Sequence, residues 1–314
     1  MRQTPGSHGV WGDCKFFVDQ NVEECDFWVV VEGFPKTQTC YCPTENTLLI
    51  TWEPYSRLHY PPRFLRQFGA VLTFHRDIQH SKVIYDPFLS APWMIDKNYD
   101  ELKDMENFTK GKVLSVICSN KAFYPGHVKR LEFVKKLAER LDVDVYGRGI
   151  HYVEDKWDAV GPYKYHVAIE NSSYAGYFTD KLTDSFLSWS YPFYYGCPNL
   201  SDYFPEGSFT MIDVDDLEQS AEKIEKAIKD GVYEKSVSKI GAARELVLDR
   251  YNLFPAVVNV IHSLELKTAK KRLTLIPARE CQSFRVRVMN RVRTEFFLLR
   301  TRRKVNDCIR QLSH

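Results

Sequence analysis

The residues with the most chemistry lie between Tyr163 and Val214, in the run YKYHVAIENSSYAGYFTDKLTDSFLSWSYPFYYGCPNLSDYFPEGSFTMIDV. An apolar segment, Val167 to Ile169, ends in a carboxylate and an amide, Glu170 and Asn171. A loop of small and aromatic residues follows, and Thr179-Asp180-Lys181 then opens a helical pattern. A second apolar segment, Tyr191 to Tyr195, runs into Gly196-Cys197-Pro198. Polar groups at the carboxyl ends of strands, beside a helix start that carries a lysine, are how α/β folds hold phosphorylated ligands. Lys181 is the first candidate for phosphate, because its ammonium and the free N–H groups of a helix start can aim at one anion.

The elements that must position these residues are legible as alternation. Apolar, β-branched runs at 27–31, 47–51 and 70–74 read as strands in the first part. Residues 86–112 are rich in proline and charge and read as a domain connection. Beyond them, 112–118, 143–146, 166–170, 191–195 and 209–214 read as strands. Residues 126–141 form a helix with Val128, Leu131, Val134, Leu137 and Leu141 on one face. A second helix is expected over 179–189, a polar one from Asp215, and two more over 232–265. Strands alternating with helices make parallel sheets wrapped by helices, an α/β fold without internal repeats.

At 314 residues, 44% apolar and 27% charged, the chain suits two globular domains. It has no apolar run long enough for a transmembrane helix, and Met1 to Trp11 lacks the apolar core of a signal peptide. Eight scattered cysteines, with only Cys40 and Cys42 close, point to a reducing compartment, and Cys118 and Cys197 read as buried thiols. The net charge of +2 conceals an asymmetry. From Lys267 onward there are 14 Lys/Arg against 3 Asp/Glu, so that segment carries +11 and the rest −9. Arg285, Arg287, Arg291 and Arg293 interleave with Phe284, Val286, Val288, Met289 and Val292, and Phe296-Phe297-Leu298-Leu299 meets Arg300, Arg302, Arg303 and Lys304. Such a mixture fits a basic amphipathic helix lying on an anionic membrane; the plainer reading is a helix packed on the body. No nucleic-acid recognition fold accompanies it.

The order of motifs from Glu170 to Pro198 resembles the nucleotide-sugar signature of the bacterial-type family 10 glycosyltransferases, the α-1,3/4-fucosyltransferases. In that family the block is roughly F-E-N-S, then Y-(V/I)-T-E-K, then P-(I/V)-x-x-G-x-P. The resemblance covers about 112–214 well and 47–76 fairly, and is absent from the first 25 residues and the tail. It implies a GT-B architecture, two Rossmann-like domains facing a central cleft, with a basic C-terminal helical tail. The expected division is an acceptor-side domain at 1–105, a nucleotide-sugar domain at 106–266 and the tail at 267–314.

Residue by residue, the resemblance implies a donor site. Ser119-Asn120 followed by Arg130 matches its S-N-x(n)-R element, whose arginine reaches the diphosphate; otherwise Arg130 is a solvated helix face. Glu170 and Asn171 match its E-N, or else form a strand end and a turn. Tyr177 matches the tyrosine before T-E-K, or else is a core aromatic. Gly196 and Pro198 shape the turn beneath the nucleotide. Asp180 stands where the family has a glutamate that reaches the ribose or donor sugar. It is one methylene shorter, which leaves the donor sugar open. Ile50-Thr51-Trp52-Glu53-Pro54 resembles the family's first-domain element, making Glu53 the candidate general base, or a capping carboxylate. Thr73-Phe74-His75-Arg76 resembles the T-Y-R element and brings in Arg76, although Asp77-Ile78-Gln79-His80 replaces the usual D-S-D-like run.

The implied activity is inverting transfer of a sugar, most simply L-fucose, from a GDP-sugar donor to a hydroxyl of a glycan acceptor. The expected acceptor is lipopolysaccharide or another surface glycan, at the inner face of the cytoplasmic membrane. A different GDP-sugar, or a glycan- or nucleotide-binding homologue without turnover, are the alternatives. No metal cofactor is expected, since Lys and Arg can neutralise the diphosphate. Asp213-Val214-Asp215-Asp216 looks like a DxD metal motif, but it follows a strand and precedes a helix, so Asp215 reads as an N-cap. The nine histidines form no HxxxH or HxH pair, so structural zinc is not expected either.

Overall fold

The structure, a computed structural model, describes residues 1–54, 58–85, 92–120, 124–282 and 312. In chain order the elements begin with β1 (Val10–Trp11), β2 (Cys14–Lys15), β3 (Trp28–Val31), β4 (Gln38–Cys42), β5 (Thr47–Thr51), α1 (Pro62–Leu65), β6 (Ala70–Thr73) and β7 (Val83–Ile84). Then come α2 (Tyr99–Asp104), β8 (Lys112–Ile117), α3 (Pro125–Arg140), β9 (Asp144–Tyr146), α4 (Trp157–Val160), β10 (Tyr163–Ile169), α5 (Asp180–Leu187), β11 (Tyr191–Tyr195) and β12 (Thr210–Met211). The last are α6 (Leu217–Lys229), α7 (Val232–Asp249), α8 (Leu253–Ser263) and β13 (Lys271–Leu275). All the segments expected to be strands are strands, and the α/β class holds.

In the first unit β3, β5, β6 and β7 lie side by side in that order, all parallel. The period of two along each strand splits their side chains between two faces. Val30, Leu49 and Val71 pack with Phe64, Leu65, Phe68 and Leu275 on one. Leu48, Ile50, Ala70 and Leu72 pack with Val257, Val260 and Ile261 on the other. Parallel sheets need both faces covered, and here the second cover is α8, from far down the chain.

The units therefore divide the chain differently from the 1–105, 106–266, 267–314 expectation. The described residues up to 85 group with 253–282, and 92–252 form the second unit. Residues 92–105 are part of the second unit's body: Trp93 and Leu102 are buried, and Tyr99 donates to Asp249 at 2.6 Å. The segment expected to be tail from Lys267 is also partly body. β13 pairs antiparallel with β4 from Lys271–Cys42 to Leu275–Gln38, and Leu275 is 2% exposed. The basic amphipathic run proper, Arg285 to Lys304, lies outside the described residues.

The second unit's sheet runs β12-β11-β10-β8-β9, all parallel. The chain starts in the middle with β8, goes to one edge with β9, and returns across β8 to lay down β10, β11 and β12. Connections from β8 and β10 thus leave in opposite directions, and a crevice opens at their carboxyl ends. α6 begins one residue later than expected. Asp216, not Asp215, is its N-cap and accepts from Gln219 N at 3.0 Å. Asp215 is used earlier, its N–H going to Asp213 Oδ1 at 2.9 Å and its carboxylate to Lys129.

A chain ended at residue 266 should unfold at lower temperature than one ended at 282, because it loses β13 and the Leu275 side chain that helps cover one sheet face. Leu275→Ala alone should cost about 2–4 kcal/mol in denaturant unfolding, the cost of an unfilled buried leucine site.

Candidate functional site

Chemistry-bearing residues collect at the carboxyl edge of the second sheet. β8 runs into Cys118-Ser119-Asn120, β9 into Gly147-Arg148-Gly149, β10 into Glu170-Asn171 and β11 into Gly196. Glycine permits the close approaches there. A Cβ at Gly126, in the first turn of α3, would lie 1.8 Å from the Asn171 carbonyl oxygen, and one at Gly147 would lie 2.1 Å from that of Cys118. The start of α3 therefore rests on the end of β10, at the crevice between β8 and β10. That helix opens at Pro125 after Tyr124, with no side-chain cap.

Arg130 is on the buried stripe of α3 with Leu131, Val134 and Leu137, not on a solvated face; it is 6% exposed. Its guanidinium lies against Cys118, where it opposes the upward push that burial gives the thiol. Among the described residues, Arg130 Nε and Asn171 Oδ1 are both buried without a hydrogen-bond partner. Each such group costs about 1–3 kcal/mol unless something satisfies it. Ser119 and Asn120 are half-buried, and Asn120 N donates to Arg148 O at 3.0 Å, which ties the β8 and β9 loops together.

Glu170 is 1% exposed and its carboxylate is heavily solvated by the protein. It accepts from Thr179 N at 2.7 Å, from Thr179 Oγ1 at 2.9 Å and from Lys181 Nζ at 3.1 Å. Lys181 also donates to Thr179 Oγ1 at 2.9 Å. The start of α5 is thus already occupied by a carboxylate, and the Lys181 ammonium, with three donors, has two committed to Glu170 and its partner. Gly196 lets this happen: a Cβ there would be 2.5 Å from Glu170 Cγ and 2.3 Å from the Tyr194 hydroxyl.

Asp180 is not free to extend alone. Lys156 pairs with Asp180 and, at 3.0 Å, with Asp184, which also accepts from Met94 N at 3.0 Å. Burial pushes the Asp184 carboxyl up to about 6. Burial opposes ionisation of Asp180 too, but Lys156 and Lys181 outweigh it and hold that carboxyl below the usual range. Tyr177 is 5% exposed and packed in the core, where its carbonyl accepts from the Tyr194 hydroxyl at 3.4 Å. Beneath these groups, His166 is buried in β10. Ser115 gives its proton to Ala159 O at 2.7 Å, so His166 Nδ1 donates to Ser115 Oγ at 2.8 Å. Burial, with the Lys156 charge, pulls the imidazole down to about 3.

In the first unit Glu53 follows β5, and a residue that sequence patterning missed holds it there. Glu32, at φ 61° after β3, accepts from Trp52 N, from Glu53 N at 2.6 Å and from the Tyr60 hydroxyl at 2.7 Å. Burial raises its carboxyl, against those bonds. His75 Nε2 donates to Glu53 O at 2.9 Å, and burial keeps the imidazole neutral by lowering its ordinary value. Arg76 is exposed and lies over the Tyr85 ring at 4.4 Å. The sign for Glu32 was a carboxylate before Gly33 at a strand end. Lys156 had no local sign at all.

Residues 108–230 match the model of the glycosyltransferase family 10 (fucosyltransferase) C-terminal domain. The mouse 4-galactosyl-N-acetylglucosaminide 3-alpha-L-fucosyltransferase 9 is 30% identical over 119 residues, 36% of this chain and 32% of the relative. Its human counterpart is 30% identical over 110 residues, 33% of this chain and 30% of the relative. The chain thus spans about a third of the length of the curated relatives it matches. A crystal structure of an alpha1,3-fucosyltransferase with GDP-fucose superimposes with a TM-score of 0.45 at 15% identity, over 72% of this chain and 81% of that one.

His166 generates a pH test. Its folded value of about 3 lies below the ordinary 6.5, so the unfolded chain binds the extra proton between them. Stability contributed by the neutral, buried form is full above 6.5 and is lost as pH falls toward 3. His166→Asn keeps a donor near Ser115 and cannot titrate. Between pH 7 and 4.5 the wild type should lose about 2–3 kcal/mol more than the variant, measured by urea unfolding.

Proposed function

We propose that this chain, whose residues 108–230 match the model of the family 10 fucosyltransferase C-terminal domain, transfers L-fucose from GDP-L-fucose to a hydroxyl of a glycan acceptor. The observation that carries the reading is the buried Arg130, with Nε unsatisfied, in the helix whose uncapped start lies at the β8/β10 crevice. A diphosphate seated there would satisfy that guanidinium beside the positive end of the α3 dipole. The α5 start is the lesser seat, because Glu170 already fills it; Lys181 adds its remaining donor. Ser119, Asn120 and Asn171 line the same edge.

Glu53 is the proposed general base, accepting the acceptor hydroxyl's proton as the glycosidic bond forms and GDP leaves, with inversion at the anomeric carbon. Glu32 and His75 hold the Glu53 main-chain N–H and carbonyl, which fixes where its side chain starts. Arg76 is assigned to the donor on the family pattern only. Charge on the leaving diphosphate is met by Arg130 and Lys181, and the reaction is proposed to need no metal. The segment beyond 282 is proposed to hold the enzyme on an anionic membrane, at the inner face of the cytoplasmic membrane, where lipopolysaccharide or another surface glycan is built. One observation favours a second reading, a different GDP-sugar: Asp180, at the position expected to reach the ribose or sugar, is committed to Lys156.

Arg130→Ala should weaken GDP binding by roughly ten- to a hundredfold in calorimetry, the loss of a charge-assisted contact. Unchanged affinity would remove the diphosphate assignment. Transfer from GDP-L-fucose, assayed in excess chelator, should persist in the wild type. It should fall by about 10²–10⁴ in Glu53→Gln with GDP affinity retained. GDP binding without any release of GDP from GDP-sugars would identify a binder instead. Flotation with anionic vesicles, lost when the chain is ended at 282, checks the membrane part.

A further inference from the structure

The N-terminal hairpin and the end of α8 bring three unlike metal-ligating groups together. β1 and β2 pair antiparallel, Val10 with Lys15 and Trp11 with Cys14, around a Gly12-Asp13 turn. Gly12 has φ 58°, the left-handed conformation such a tight turn requires. Just after the hairpin, Phe16 meets Phe254 of α8 edge-to-face with centroids 4.9 Å apart. His262 stands in the last turn of the same helix. Asp13 Oδ1 accepts from His262 Nε2 at 2.9 Å and from Cys14 Sγ at 3.5 Å. The three ligand atoms all lie within 4.8 Å of one another.

We propose that Asp13, Cys14 and His262 form a zinc site that staples the hairpin to α8. A thiolate, an imidazole and a carboxylate make a donor set for a borderline ion; calcium and magnesium take oxygen alone. Spacing supports the assignment. Around a tetrahedral zinc with bonds of about 2.0–2.3 Å, neighbouring ligand atoms stand roughly 3.3–3.6 Å apart. Two of the pairs, at 2.9 and 3.5 Å, come close to that and the third lies within 4.8 Å, so small side-chain movements bring all three to it. Asp13 and His262 are exposed, which leaves the fourth position to water. On binding, the Cys14 thiol releases its proton to solvent, and the imidazole gives up its Nε2 proton, to solvent or by tautomerising to the Nδ1–H form, so that Nε2 can bind the ion. Bonds from Oδ1, Sγ and Nε2 to the ion replace the two hydrogen bonds, and no electron is transferred. The role is structural and independent of the transfer reaction. It concerns a hairpin of two-residue strands, which is marginal on its own.

The test uses the full chain, stripped with chelator and dialysed. Zinc titrated in a calorimeter should bind at one equivalent and raise the melting temperature, since it binds the folded form. Cobalt(II) used as an optical probe should give a thiolate-to-metal charge-transfer band that Cys14→Ser abolishes. His262→Gln should weaken zinc by more than about tenfold, given that losing even an outer-shell partner costs 10–100-fold. Both residues are at the surface, so folding of the variants is checked by circular dichroism. Undiminished zinc affinity in both variants would place the ion elsewhere, for instance on Cys25, Cys40 and Cys42, and overturn the proposal. So would the absence of binding at tens of micromolar zinc, or binding that leaves the melting temperature unchanged.

Discussion

A carboxylate at 1% exposure must be solvated by protein, and how Glu170 is solvated organises the second unit's working edge. Its two oxygens draw in the N–H and hydroxyl of Thr179 and the ammonium of Lys181. This fixes where α5 starts relative to β10. α5 then carries Asp180 and Asp184 to Lys156, one ammonium between two carboxylates. Removing the carboxylate would leave donors and a cation partly buried without an acceptor, a larger cost than the bonds themselves contribute. The crevice that remains lies on the other side of β10, where α3 begins and where Arg130 and Asn171 keep unsatisfied atoms. A polar edge of this kind is partly saturated by its own side chains and partly left unsatisfied, and an unsatisfied buried group gains most from any new partner.

The first unit shows the same economy at longer range. Its parallel sheet has two apolar faces and too few local elements to cover them. Val257, Val260 and Ile261 of α8 complete one face, and Leu275 of β13 contributes to the other. Residues 253–275, far along the chain, are therefore required by the opening segment. This is also where a hairpin, a helix end and the side chains of Asp13, Cys14 and His262 meet. Glu32 adds a finer constraint: by accepting from successive main-chain N–H groups, it decides how the residues after β5 leave the sheet.

The periodicity of the chain determined most of what is local. β-branched and apolar runs of strand length became strands, and the stripe through Leu131, Val134 and Leu137 became the buried face of α3. The Glu170-Asn171, Thr179-Asp180-Lys181 and Gly196 motifs told in advance which loops would share an edge, because in a parallel sheet all carboxyl ends face one way. Tertiary structure alone decided the rest. The pairing of β13 with β4 joins residues more than two hundred positions apart, and a polar strand such as Lys271–Leu275 has no alternation strong enough to announce it. For Arg130 a solvated face was the alternative reading, since helical spacing fixes a face but not what covers it. Lys156 could not be matched to Asp180, nor His262 to Asp13 and Cys14, because spacing along the chain measures proximity only within one element. Partners brought together by folding are set by how sheets are closed, and that is a property of the whole chain.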